Sequence, residues 1–147
     1  MKQKCLHESD GQRTYAVVLQ TGDEVMSCLL KFAVAEEIFA AQISGIGAFS
    51  DVLLKYFDWS SKEYLAIPLR EQVEVASFLG DIAQAPSGEP AVHVHLVAGR
   101  RDGSAVAGHL ARAHVRPTLE LVVTESPAHL RKQKDEESGL ALIVPEA

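Results

Sequence analysis

His93 and His95 stand two apart in Ala91-Val92-His93-Val94-His95-Leu96, and His109 follows in Gly108-His109-Leu110. On a strand, side chains two apart share a face, so the pair projects together, roughly 6.5–7 Å apart along the backbone. Val92, Val94 and Leu96 take the opposite face. Two imidazoles at that spacing can close on one ion, because zinc–nitrogen bonds are about 2.0–2.1 Å and the histidine side chain is long. A turn near Asp102-Gly103 would return Gly108-His109 alongside the pair, with Gly108 allowing close backbone approach. Three neutral nitrogen ligands and no cysteine suit zinc, and also iron, nickel or copper, with one coordination position left for water or a substrate oxygen. The other reading is a set of partly buried, hydrogen-bonding histidines.

Glu120 interrupts the apolar run Leu119-Glu120-Leu121-Val122-Val123. It is the carboxylate expected nearest the histidines, as outer-shell acceptor, fourth ligand or base, or else a partner for Arg112 or Arg116. His114 is a candidate fourth imidazole, whereas His7 and His129 lack comparable spacing. Arg100 and Arg101, before Asp102-Gly103, are basic enough to meet a ligand or a nucleic acid, although a solvated hairpin tip is the usual meaning of such a run. Gly45-Ile46-Gly47-Ala48 lacks a third glycine and a Gly-Lys-Ser/Thr, so it reads as close backbone packing rather than a phosphate loop. Cys28 lies among apolar helix residues and reads as a core thiol.

The elements that must position these residues are strand-rich. Arg13 to Gln20 reads as a buried first strand, apolar on both faces. Asp23 is placed to cap a helix carrying Met26, Leu29, Leu30, Ala33 and Val34 at helical spacing. Ala41 to Phe57 reads as two extended segments broken at Gly45–Ala48, and Asp58 to Lys62 as a turn. Strands follow over 63–69 and 72–79, then a loop over 80–90, a strand over 91–98, a turn over 99–104, and strands over 105–113 and 118–124. A charged stretch, 131–137, and an apolar patch, 140–144, close the chain. One helix and many strands joined by short turns predict an α/β domain of α+β type with a largely antiparallel or mixed sheet.

At 147 residues the chain fits one domain spanning 1–147, with a core over about 13–125 and a C-terminal tail over 126–147. About two-thirds of the unfolded chain's surface can be buried at this size, so any metal serves function rather than basic stability. The net charge of −6 works against binding nucleic acid mainly by neutralising phosphates. Two distant cysteines, and no apolar run of signal-peptide or membrane-span length, make a cytoplasmic protein with no membrane partner the expectation.

The ordered set Ile43-Ser44-Gly45-Ile46-Gly47-Ala48, Tyr56-Phe57-Asp58, Glu74-Val75-Ala76-Ser77-Phe78-Leu79-Gly80, His93-Val94-His95, Arg101-Asp102-Gly103 and Gly108-His109-Leu110 resembles the PPC (plant and prokaryote conserved) domain. The resemblance runs from about Arg13 to Glu125 and points to the prokaryotic stand-alone type. It implies a homotrimer and a metal held by His93, His95 and His109. In plants the domain follows AT-hooks and contacts other nuclear proteins. This sequence has no Arg-Gly-Arg-Pro hook, and Glu74 is the single identity with the plant partner-contact segment, so DNA is a doubtful partner. Three functions are therefore weighed. One is a trimeric regulatory or DNA-associated module with a zinc, iron or nickel site and a protein partner. The others are a metal-dependent enzyme with Glu120 as base, and a small-molecule binder with its pocket at the subunit boundary.

Overall fold

The computed structural model describes residues 1–145; Glu146 and Ala147, the end of the expected tail, lie outside them. The elements are β1 (Lys2–Ser9), β2 (Gln12–Gln20), α1 (Val25–Ala35), β3 (Ala40–Asp58), β4 (Glu63–Leu69), β5 (Val73–Gln84), β6 (Pro90–Gly99), β7 (Ala105–Glu125), β8 (Lys132–Lys134) and β9 (Ala141–Ile143). Every strand-to-strand ladder is antiparallel. This is the α+β arrangement expected, with an antiparallel rather than a mixed sheet. No helix among the described residues is long and apolar enough to cross a membrane.

Two long strands organise the molecule. β3 pairs with β7 along most of their lengths, from Ala41 opposite Glu125 to Lys55 opposite His109. On its other edge β3 holds first β5 and then β4, while β7 holds first β6 and then β2. Since β5 also pairs with β6, strands β3, β5, β6 and β7 close into a ring. Closure requires the long strands to bend, and the ladders of β3 shift register at Gly45/Gly47, Gly47/Phe49, Phe49/Asp51 and Leu53/Leu54, the extra residue lying on β5 at the first of these bulges and on β7 at the last. Pairing on both edges continues through Gly45–Gly47, so the two segments expected there are one strand. The bulges are what break the period-two pattern. β7 is likewise one strand where two were expected.

The core comprises inward-facing residues of the ring, among them Ile43, Phe49, Leu54, Phe78, Val94, Leu96, Leu110 and Leu121, together with Leu29 and Phe32 of α1. Complete burial of one such side chain stabilises by about 1.5–3 kcal/mol. The helix buries part of the face expected, Leu29 and Ala33 with Met26 packed against the core, but not its two outer members. Val25, Leu29, Phe32 and Ala33 are buried, while Leu30 and Val34 are exposed. The cap is Glu24 rather than Asp23: Glu24 accepts from Met26 N at 3.1 Å and Ser27 N at 2.8 Å.

A further strand, β1, precedes the expected first one and pairs with β2 across an Asp10-Gly11 turn, both residues at positive φ. All of β1 is exposed, which is why it shows no apolar alternation. In β2, Tyr15, Val17 and Leu19 are buried and Ala16 and Val18 are half-buried on the other side, so one face is covered rather than two.

Candidate metal centre

The histidines come together on the outer face of the ring. Alternation along β6 turns Val94, Leu96 and Ala98 into the core and sends His93 and His95 outward. The 99–104 turn closes with Arg100 N to Ser104 O at 2.8 Å and sets His109 directly opposite His95. Ring centroids lie 5.0 Å apart for His93–His95, 5.0 Å for His93–His109 and 5.8 Å for His95–His109. One ring nitrogen from each falls within 4.8 Å of the others. Small rotamer changes would bring them to the separation of about 3.4 Å that tetrahedral zinc bonding sets.

Asp81, a residue absent from the expected site, orients this cluster. It sits on β5 opposite His93, and its Oδ2 lies 3.2 Å from His93 Nδ1. That hydrogen bond makes Nδ1 the protonated nitrogen and leaves Nε2 as the lone-pair donor, the usual outer-shell device for a metal-binding imidazole. Asp81 falls within the loop expected over 80–90. In the structure β5 continues to Gln84, and Gly80 permits this because a Cβ there would lie 2.5 Å from the His93 carbonyl oxygen. Burial pushes the Asp81 carboxyl up, but its contacts with His93 and then Lys132 outweigh that and hold it below the usual range.

Burial, then the neighbouring His93 and His95, depress His109 to about 4, and burial followed by His93 lowers His95. Both are thus neutral near pH 7, as a metal ligand must be. His109 Nδ1 is buried with no hydrogen-bond partner, an arrangement that leaves a polar atom desolvated and uncompensated. Tyr64 packs its ring 5.3 Å from His109, and Lys55, opposite His109 on β3, lies over Tyr64. An orphaned imidazole nitrogen beside two others, one of them fixed by a carboxylate, fits a divalent cation.

The other expected residues lie elsewhere. Glu120 is eleven positions along β7 from His109, between Val18 and Ile46, so within one chain it is not beside the histidines. His114 pairs with Asp51, Nδ1 to Oδ1 at 3.0 Å, and is not a fourth imidazole of the cluster. Arg100 meets Glu71 at 3.0 Å in a groove also lined by Glu74 and Arg101. Cys28 packs against the core, its thiol pushed up by burial, while Cys5 is exposed on β1.

Residues 6–127 match the family described as the Plants and Prokaryotes Conserved (PCC) domain. The chain belongs to this family. A PPC protein of Pyrococcus horikoshii shares 32% identity over 90% of this chain and 91% of its own, with a TM-score of 0.84. A metal-containing protein of Archaeoglobus fulgidus shares 30% over 89% and 92%, with a TM-score of 0.82. A protein of Bacteroides thetaiotaomicron, provisionally named DNA-binding, shares 26% over 96% of both chains, with a TM-score of 0.85. No protein of curated function matches.

Proposed function

We propose that this PPC-domain protein is a homotrimeric metal-binding module, holding one divalent ion, zinc ahead of iron or nickel, on His93, His95 and His109. The observation that carries the reading is His109. Its buried Nδ1 has no partner, and both neighbouring imidazoles are packed against it at 5.0 and 5.8 Å. A three-nitrogen site supplies a Lewis-acid position that a ligand oxygen can take. Asp81 holds the His93 proton on Nδ1, and the burial of His109 Nδ1 keeps water from that nitrogen.

A binding role is favoured over catalysis because, within one chain, Glu120 is not placed to move a proton at this site. Asp81 is already committed to His93. Assembly is supported by an exposed apolar face: Ile46, Leu79 and Val122 are 66%, 55% and 45% exposed, and Ala16 and Val18 adjoin them. Leu79 pairs with His95, so copies of the chain meeting on this face would border the metal centre. DNA is disfavoured by the net charge of −6 and by the pairing of Arg100 with Glu71. Zinc titration against a chromophoric chelator tests the site: one equivalent per chain is expected for the wild type and none for His109→Ala. Equal binding by the two would overturn the reading.

A further inference from the structure

We infer that the C-terminal hairpin is a working part of the three-histidine centre, a clasp whose Lys132 fixes Asp81 and through it His93, so that metal binding and hairpin docking reinforce each other. The inference rests on the metal reading above and goes beyond it, since residues 128–145 lie past the family match.

Lys132 opens β8 within the charged stretch 131–137, yet it is only 8% exposed. A buried ammonium needs a compensating anion. Its Nζ lies 2.8 Å from Asp81 Oδ1, while Asp81 Oδ2 faces His93 Nδ1 at 3.2 Å. The two carboxylate oxygens thus face different groups, Oδ1 the Lys132 ammonium as an ion pair without hydrogen-bond alignment and Oδ2 the His93 imidazole, so turning the carboxylate toward one draws it from the other. Lys132 is held in register from both directions. Gln84 N donates to Leu130 O at 2.7 Å, tying the segment to the end of β5 three residues beyond Asp81. Leu130 N donates to Phe39 O, and the Phe39 and His129 rings pack at 5.3 Å. The hairpin closes through the β8–β9 ladder and the bond from Val144 N to Arg131 O at 2.9 Å.

Asp81 thus joins two elements that otherwise have separate supports, the metal-binding strand β6 and the terminal hairpin. Lys132 is a positioning residue: releasing it frees Asp81 to turn and frees His93 with it. Outer-shell partners of metal-bound histidines affect affinity by about 10–100-fold, and Lys132 acts one contact further out, so a loss near tenfold is expected. Coupling is reciprocal, so a bound ion must tighten the hairpin by the same factor that the docked hairpin tightens the ion.

The test uses the full-length protein with zinc as the probe. Lys132→Met is expected to weaken zinc binding about tenfold. Lys132→Arg, which keeps a cationic donor, should recover most of that loss. In an Asp81→Asn background Lys132→Met should cost nothing further, whereas an unrelated structural defect would add to the first loss. Hydrogen exchange on the wild type needs no variant: zinc should slow amide exchange across residues 130–144 about tenfold. Zinc bound by the wild type with no change in hairpin exchange, and with Lys132→Met binding as tightly, would overturn the clasp and leave the metal reading intact. A wild type that binds no zinc would overturn both.

Discussion

Substituting Gly47 by alanine probes the contact on which ring closure depends. A Cβ at Gly47 would overlap the Thr118 carbonyl oxygen and lie 2.7 Å from Leu119 Cα, both backbone atoms of β7. Ordinary carbon contacts begin near 3.4 Å, so the paired strands would have to separate by at least about 0.7 Å. Neither obstructing atom belongs to a flexible side chain, and β7 is held on its far edge by β2. Overpacking costs about 1–3 kcal/mol, and the upper half of that range applies when backbone must move. Alanine returns about 0.4–1 kcal/mol by restricting the unfolded chain. The net expectation is a loss of about 2 kcal/mol, or about 4–8 °C in Tm for a chain of this size. Gly99→Ala is the internal control, because the nearest atom to its Cβ is 3.7 Å away; it should be neutral or slightly stabilising. Urea unfolding of both variants in chelator, at one protein concentration, reads the difference directly. A Gly47→Ala protein as stable as Gly99→Ala would refute the packing argument.

Asp81→Asn should weaken zinc binding about 10–100-fold while Glu120→Gln leaves it unchanged, as read by chelator competition; the reverse order would return the orienting role to Glu120. Gly108→Ala sets a Cβ 2.9 Å from the Lys55 carbonyl oxygen beside His109, so it should weaken zinc binding as well as fold stability. Glu24→Ala should cost about 1 kcal/mol at pH 7 through loss of the α1 cap. Burial raises the Glu24 carboxyl, but its bonds to Ser27 and Met26 outweigh this and leave it lowered, so its contribution is present above the ordinary glutamate range and fades as pH falls through the lowered value. The gap between wild type and Glu24→Ala should therefore close in acid; a gap that persists unchanged would place the cap's contribution elsewhere. Leu79→Glu, on the exposed apolar face, should shift the mass seen by light scattering from trimer to monomer, and an unchanged mass would move the assembly surface to another face.

The histidine cluster was legible because it depends on two robust regularities, alternation along a strand and the return of a hairpin. Asp81 was hidden by Gly80, a residue that ordinarily signals a loop but here lets β5 and β6 approach closely. Glu120 stands out as a charge in an apolar run, yet strand register places it opposite Ile46 and Val18. Pattern identifies a side chain's face but not its distance along a bent strand. The charged stretch around Lys132 gives no sign of burial in the sequence, because its partner, Asp81, lies far away along the chain. β1 gave no apolar signal, being exposed throughout, although Asp10-Gly11 is a strong hairpin dipeptide. The helix is legible from its period, which also picks out Leu29 and Ala33 as buried, while Leu30 and Val34, apolar but exposed, widen the apparent apolar face beyond what the core covers.

The most direct measurement is the metal content of untagged protein, wild type against a His93→Ala, His95→Ala double variant, with anomalous diffraction at the metal edge locating the ion. The account predicts about one equivalent per chain in the wild type, an anomalous peak among His93, His95 and His109, and no metal in the double variant. Equal metal in the two proteins, or a peak elsewhere, would contradict it.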